Sequence, residues 1–598
     1  MSHFTRRDFL KGATATAAGV ALTGILTGCS SASVGTGNSD PVAPADSAST
    51  GTPTKSTKWY DEAYFKKPAS ITDIKEKFDV DVVVVGAGNG GCIAAVSAAD
   101  LGAKVAWVEQ NAGPIMWAGE IHALNSKVGK EKYGITFTEA EKNEIVNDIC
   151  RYASYEVDQR LIKLWADNSG RTMDWFSKKM AAKGVSMHVE TDMYKSDMYR
   201  TNNRGEHCAY KGEWVEMGPK KMGSEVANPI WVEIATEMGV QKFFEHTALQ
   251  LLQDSSGKVN GIIVQRKKDN AYIQINAAKG VIISTGGYSG NTEMMDALRY
   301  RCKDNVVNNL GGAGHNGDGI KMAMWAGAAI DRNHGGGVAF DRAAVDLDHH
   351  TGEPYTSGLD DMWWPGSQPW LAVNTHGERF MNEKAPYDSK IHGASKQPKQ
   401  IWFQIFDSNY WEDVNAFHTT ICSRVVAAPG ARNSEVLPGV FPCQTKEEFD
   451  KAYMEPALKS GKLKKADTLE DLAKQLGLPA DALAATVKRY NENAAKGFDA
   501  DFGKDPGSLR PVAQGPFYGI ALGNWLLCTF NGVRINTNIQ AINENGDPIQ
   551  GLYVTGNDSG GFFANTYPQY YGGLAHGRTT CFARLAALHA ITGSIYES

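Results

Sequence analysis

The chain has 598 residues, 42% hydrophobic and 21% charged, which is enough apolar surface for two or more domains. A formal net charge of −6 leaves no basic excess to neutralise phosphates and argues against a nucleic-acid binder. A mean hydropathy of −0.35 excludes a polytopic membrane protein. The 63 glycines, without a collagen-like period, point to close backbone approaches of the kind a nucleotide needs.

The N-terminus reads Thr5-Arg6-Arg7-Asp8-Phe9-Leu10-Lys11, followed by a small-residue apolar stretch from Gly12 to Gly28. Paired arginines ahead of a mildly apolar run have the form of a twin-arginine export signal. The stretch would make a poor stop-transfer helix. Leu26-Thr27-Gly28-Cys29 resembles a lipobox, which implies a signal over 1–28 and a membrane anchor through lipid on Cys29; the alternative is an uncleaved anchor. Residues 29–57, mostly Ser, Thr, Gly, Pro and Ala, are expected to be a disordered tether. The other cysteines (Cys92, Cys150, Cys208, Cys302, Cys422, Cys443, Cys528, Cys581) form no Cys-x-x-Cys pair. No haem, zinc or iron–sulfur run is therefore present, no metal is expected, and these thiols are read as mostly free and buried.

Asp79 to Val85 is a β-branched run with the composition of a buried parallel strand. It leads into Gly86-Ala87-Gly88-Asn89-Gly90-Gly91, a small-residue helix, and a second strand ending at Glu109. Gly86 permits the turn, Gly88 lets a pyrophosphate approach the backbone, and Gly91 lets helix and strand pack closely. The helix N-terminus faces the phosphates, and Glu109 is spaced to accept from ribose hydroxyls. A strand pair follows over about 241–264, turning at Asp254-Ser255-Ser256-Gly257-Lys258. Beyond it lie Ser284-Thr285-Gly286-Gly287, Asn316-Gly317-Asp318-Gly319 and Gly551-Leu552-Tyr553-Val554-Thr555-Gly556-Asn557-Asp558.

This order of motifs resembles the FAD-dependent fumarate reductase/succinate dehydrogenase flavoprotein superfamily. The resemblance is to its single-chain branch, with flavocytochrome fumarate reductases, urocanate reductases and 3-ketosteroid Δ1-dehydrogenases, and covers about Phe78 to Leu588. It implies an α/β fold with a Rossmann-type FAD-binding domain in two pieces, 75–335 and 505–598, around an inserted α+β capping domain at 336–504. It also implies non-covalent FAD, held by Gly86, Gly88, Asn89, Gly91, Glu109, Gln110, Gly119, Thr285, Gly286, Gly287, Asp318, Asn557, Gly572, Gly573 and Leu574. Val373 to Glu383 matches the family's cap segment. Leu469, Leu472, Leu476, Leu483 and Val487 recur at helical spacing.

In fumarate reductases of this family the segment after Asn-Glu reaches a proton-delivering arginine. Here Asn382-Glu383 leads to Tyr387 instead. The family's His-Pro-Thr is absent at Ala339-Phe340-Asp341, its paired histidines become Leu527-Cys528, and its last carboxylate-clamping arginine becomes Tyr570. Without these charge-assisted donors fumarate is a poor candidate and a neutral or aromatic substrate is expected. The tyrosines and Thr566-Tyr567-Pro568 resemble the ketosteroid dehydrogenase branch. By that resemblance Tyr387 exchanges the α-proton, Tyr567 holds a substrate carbonyl and a main-chain N–H near Tyr571 assists; Tyr570 and Tyr571 are further catalytic candidates, with at least one of Tyr567, Tyr570 and Tyr571 expected to be pocket wall. Trp363, Trp364 and Trp370 are read as pocket lining or core, and His349-His350 as a solvated pair.

The expected activity is hydride transfer from flavin N5 to an activated C=C bond, with a small-molecule substrate and a separate cytochrome or quinol-linked electron donor. Desaturation of a ketone is the reverse alternative, since the same transition state serves both directions. A surface flavoprotein that only relays electrons is the alternative of another class.

Overall fold

The computed structural model describes residues 65–115, 120–189, 206–211, 223–298, 306–309, 314–331, 337–348, 356–357, 362–417, 423, 425, 443 and 445–597. The predicted signal and tether with Cys29, the cofactor contact Gly119, and His349-His350 lie outside these residues.

Val82–Val85 are buried on both faces, as a central parallel strand requires. Their strand, β1 (Ile74–Val85), runs parallel to β2 (Val105–Glu109) on one side and to β9 (Tyr272–Ile283) on the other. β18 (Pro548–Val554) adds in parallel beyond β9, with Leu552 opposite Val281. The C-terminal part of the chain thus completes the sheet the N-terminal part begins. β6 (Gln241–Phe244) closes the β2 side, and β17 (Gln540–Ile542) pairs antiparallel with β18. The predicted strand pair is the hairpin β7 (His246–Gln253) and β8 (Val259–Arg266), with β8 antiparallel to β9.

Eight helices and two further sheets position the site, beginning with α1 (Asn89–Asp100) between β1 and β2. α2 (Glu139–Tyr152) opens on a capping box, Thr138 accepting from the Glu141 N–H while Glu141 accepts from that of Thr138. It is followed by α3 (Gln159–Ala181) and, later, α4 (Asp318–Trp325). α8 (Leu574–Thr592), buried on nearly all sides, packs on α1 and α3. A three-stranded sheet has the order β3 (Ile121–His122), β5 (Glu206–Lys211), β4 (Val185–Val189).

The second large sheet is built around β16 (Phe517–Thr529), which is buried almost throughout. β10 (Val306–Asn309), β11 (Gly337–Ala344), β14 (Trp402–Phe406) and β15 (Leu463–Ala466) pair with it, and β12 (Thr356–Ser357) and β13 (Leu371–Val373) extend the edges. This sheet takes β10 from before residue 336 and β16 from beyond 504, so it runs across both divisions expected from the sequence. α5 (Tyr387–Ala394) packs on β11. α6 (Leu469–Leu476) and α7 (Ala480–Lys496) cover part of the sheet, burying Leu472, Leu476, Leu483 and Val487, with Leu469 packed at the margin.

Trp363 and Trp370 belong to the core under this sheet. Trp370 stacks on Phe406 at 4.4 Å and donates to Asp413, while Trp363 donates to Gln404. Core packing is therefore the reading that holds for both. Glu383, from the Asn-Glu pair, is fully buried between Arg379 (2.8 Å) and Lys504 (3.3 Å), and Arg379 also grips Asp499 at 2.9 Å. Burial alone would raise the Glu383 carboxyl, but Lys504 and Arg379 hold it below its ordinary value. This network anchors the loop that delivers Tyr387. Cys92, Cys150, Cys443, Cys528 and Cys581 are free and buried.

Candidate active site

Two regions, joined by one buried carboxylate, make up the site. In the first, Gly86 turns the chain at φ +102°, and a Cβ on Gly91 would lie 1.9 Å from the Gly86 carbonyl. Only glycine lets α1 start this close to β1. Gly88 N-caps α1 without a side chain, so the helix presents open N–H groups. Of the cofactor contacts expected from the sequence, Gly86, Gly88, Glu109, Gln110, Thr285, Gly286 and Asp318 line one cleft. The Glu109 carboxylate accepts from the Ala87 and Asn111 N–H groups, both at 2.8 Å, which fixes it at the cleft wall. Gln110 donates to the Gly314 carbonyl at 3.1 Å. The cleft also takes in His246, Thr247, Ala248 and His315, which sequence reasoning missed. A hairpin strand and a lone histidine carry no phosphate or ribose signature of their own.

Asp558 is the link to the second region. It is fully buried and accepts from the Thr285 N–H and, at 2.9 Å, from the Thr285 hydroxyl. It also takes the Gly286 N–H at 3.3 Å and the Gly287 N–H at 3.0 Å. Burial raises its carboxyl while these donors pull it back. Asn557 beside it accepts from Arg578. The sequence singled out Asn557 rather than Asp558, because a long-range acceptor leaves no local pattern. Replacing Asp558 by alanine leaves these donors without an acceptor, at about 1.5–3 kcal/mol for a charged partner. We expect FAD affinity to fall at least about tenfold, read by flavin release on dilution; unaltered retention would contradict this role.

Gly572, Gly573 and Leu574 lead into α8 beside β3, where the Gly573 carbonyl accepts from the His122 N–H at 3.1 Å. Gly573 N-caps α8 at φ +71°, and the Gly572 carbonyl accepts from His122 Nδ1 at 2.9 Å. Burial lowers the His122 imidazole to about 4, so it is neutral, and its Nε2 is buried without a protein partner. Asn89 ties α1 to α8 through Thr580 at 2.9 Å, while its Oδ1 and the Nδ1 of His315 are likewise unsatisfied. A glycine cradle, an open helix N-terminus and these buried polar atoms fit a bound dinucleotide.

The four predicted tyrosines are all buried, but they do not converge equally. Tyr387 begins α5, packs edge-on against Phe340 at 4.9 Å, and donates its N–H to Gln569 Oε1 at 3.1 Å. Phe340 in turn stacks on Trp525 at 5.7 Å. The Tyr567 oxygen accepts from the Ala575 N–H at the start of α8 (3.2 Å), so its own proton is directed elsewhere. The positive end of that helix strengthens the phenol as a donor. Tyr571 turns away, its hydroxyl donating to Asp148 at 3.4 Å and its ring lying against His122. Tyr570 lies close enough to Tyr152 to influence that phenol.

The residues no motif disclosed are Asp388 and Tyr152. Asp388 accepts from the Tyr152 hydroxyl at 2.8 Å, from the Tyr567 N–H at 2.7 Å and from the Ser389 N–H at 2.9 Å. Among the described residues no cluster of three or more His, Cys, Asp or Glu is arranged to hold a metal, and no helix is long and apolar enough to cross a membrane.

A parallel sheet with a glycine-rich turn and a carboxylate at the cleft wall has the form of a dinucleotide-binding flavoprotein. Residues 81–570 match the model of the FAD binding domain family, and the chain belongs to that family; it is an FAD-dependent enzyme. Residues 3–23 match the twin-arginine translocation signal, which marks the chain for export across the cytoplasmic membrane. The vinyl phenol reductase of Lactiplantibacillus plantarum is 29% identical over 516 residues, covering 85% of this chain and 96% of that protein. The 3-oxosteroid 1-dehydrogenase of Mycobacterium tuberculosis is 29% identical over 389 residues, 58% of this chain and 59% of its own length. In fold, the chain is similar to the 3-ketosteroid Δ1-dehydrogenase of Sterolibacterium denitrificans, with a TM-score of 0.64 at 18% identity over 86% of this chain and 100% of that one.

Proposed function

We propose that this chain is an exported, lipid-anchored reductase of an activated C=C bond in a neutral or aromatic substrate, such as a vinyl phenol or an enone. The observation that carries this reading is Tyr387, a buried phenol at the position where the resemblance to fumarate reductases puts a proton-delivering arginine, backed by Phe340 and bonded to the Tyr567 segment. The similarity to a vinyl phenol reductase over 96% of that protein supports the substrate class. Bound FAD, held non-covalently, supplies hydride at N5. Tyr387 gives its proton to the carbon next to the activating group. Tyr567, backed by the Ala575 N–H, donates to the substrate oxygen where charge develops. Tyr570 completes the wall, whereas Tyr571 faces Asp148, and a main-chain N–H near Tyr571 serves as second donor. In this reading 336–504 is a cap between the FAD-binding pieces 75–335 and 505–598, and it excludes water during transfer. Electrons arrive from a separate cytochrome or quinol-linked donor.

The same residues run backwards in a ketone desaturase, a reading favoured by the similarity to a 3-oxosteroid 1-dehydrogenase. The test is anaerobic mixing of the dithionite-reduced holoenzyme with 4-vinylphenol, steroid enones, cinnamate-like acids and fumarate. Rapid flavin reoxidation by a neutral vinyl phenol or enone, and little by fumarate, is expected. Fumarate as the best oxidant, or inertness to the whole panel, would overturn the proposal.

A further inference from the structure

Asp388 joins three stretches of chain that are far apart in sequence. Tyr152, at the end of α2, is 236 residues away, and the Tyr567 N–H is 179 residues away in the C-terminal loop. The neighbouring bond from the Tyr387 N–H to Gln569 Oε1 makes a second staple between the same helix and loop. We propose that Asp388 and Tyr152 are positioning residues of the tyrosine site. The ionised carboxylate, shared between the Tyr152 hydroxyl and the Tyr567 N–H, holds the helix that carries Tyr387 in register with the loop that carries Tyr567. This inference rests on the roles proposed above for those two tyrosines.

The chemistry favours the ionised form as the clamp. A carboxylate accepts from all three donors at once, and charge-assisted bonds of this kind are roughly twice as strong as neutral ones. A protonated Asp388 must direct an O–H into the same crowded space and forfeits acceptor capacity. The groups facing it are the Tyr152 phenol on α2, itself influenced by the phenols of Tyr387 and Tyr570, and the main-chain N–H groups of Tyr567 on the loop and Ser389 on its own helix. The nearby charges are engaged with each other: Lys390 with Asp341 at 2.6 Å, and Asp148 with Arg151 at 2.8 Å. Burial pushes the Asp388 carboxyl up to about 6, and the Tyr152 hydroxyl pulls it down. The clamp is therefore intact above about pH 6 and is lost as pH falls through that value. Tyr152 has a definite part in this, because removing its hydroxyl raises the pH at which the clamp fails.

The experiment compares wild-type holoenzyme with Asp388→Asn and Tyr152→Phe, each checked for bound FAD. In difference infrared spectra, a protonated-carboxyl band should disappear as pH rises through about 6 in the wild type. It should be missing in Asp388→Asn and should disappear at higher pH in Tyr152→Phe. With 4-vinylphenol, kcat should fall about 100-fold in Asp388→Asn with KM little changed, as for a small misplacement of a reacting group. The acid limb of kcat should vanish in Asp388→Asn and shift to higher pH in Tyr152→Phe. A band that titrates identically in wild type and Tyr152→Phe overturns the proposal, as does wild-type kcat with a wild-type pH profile in both variants. Should Asp388→Asn lose FAD, Tyr152→Phe, which removes a single oxygen, decides the question. If wild type does not turn over 4-vinylphenol, the substrate reading fails on its own, and the infrared titration still decides the pairing.

Discussion

Gly91→Ala should yield a chain that purifies with little or no flavin. The added Cβ would lie 1.9 Å from the Gly86 carbonyl oxygen and 2.7 Å from its carbon, both main-chain atoms that cannot rotate aside. Relief requires α1 to move off β1, which shifts the open helix N-terminus away from the cleft and costs stability as overpacking does, typically about 1–3 kcal/mol. Gly113→Ala is the matched control, since a Cβ there meets nothing within 4 Å. The ratio of flavin to protein absorbance reads the outcome. Full flavin content in Gly91→Ala would show that helix and strand do not meet as described.

The second large effect is expected at Tyr387. Tyr387→Phe keeps the ring that packs edge-on against Phe340 and the main-chain bond to Gln569, so FAD content and melting temperature should stay near wild type. What is lost is the proton. General-acid catalysis by a positioned side chain contributes about 10²–10⁴-fold, and kcat with the substrate that reoxidises the flavin should drop by that factor. Tyr567→Phe should cost about 10²–10³-fold, the usual loss for one oxyanion donor. Undiminished turnover in Tyr387→Phe would remove it from the acid role and direct attention to Tyr570.

What could be read in advance depended on how local the cause was. The turn at Gly86, the start of α1 and Glu109 all lie within one strand–helix–strand unit, where spacing alone carries the physics. The hairpin at 246–266 was legible for the same reason. The second sheet was harder, because nothing in the β16 sequence says that β10 and β11 will be its partners. Asp558 and Asp388 were hidden more deeply. Each is a single acid that takes donors from segments more than a hundred residues away, and a lone Asp in a short turn or in the first turn of a helix looks like any solvated or capping residue until those segments arrive. Among the aromatics, burial decided what spacing could not. Trp363 and Trp370 turned out to fill the core, and Tyr571 proved to face Asp148.

The Thr285 turn and the carboxylate that holds it are separated by 273 residues. During synthesis the turn proposed to cradle the flavin therefore stays without its carboxylate until Asp558 has left the ribosome, and α8, which packs on α1, follows later still. The twin-arginine signal, at residues 3–23, emerges well before both. That route carries folded cargo, so the address is displayed while the cargo is still unfinished. Truncation anywhere before residue 558 leaves the export signal on a chain without the carboxylate that holds the Thr285 turn.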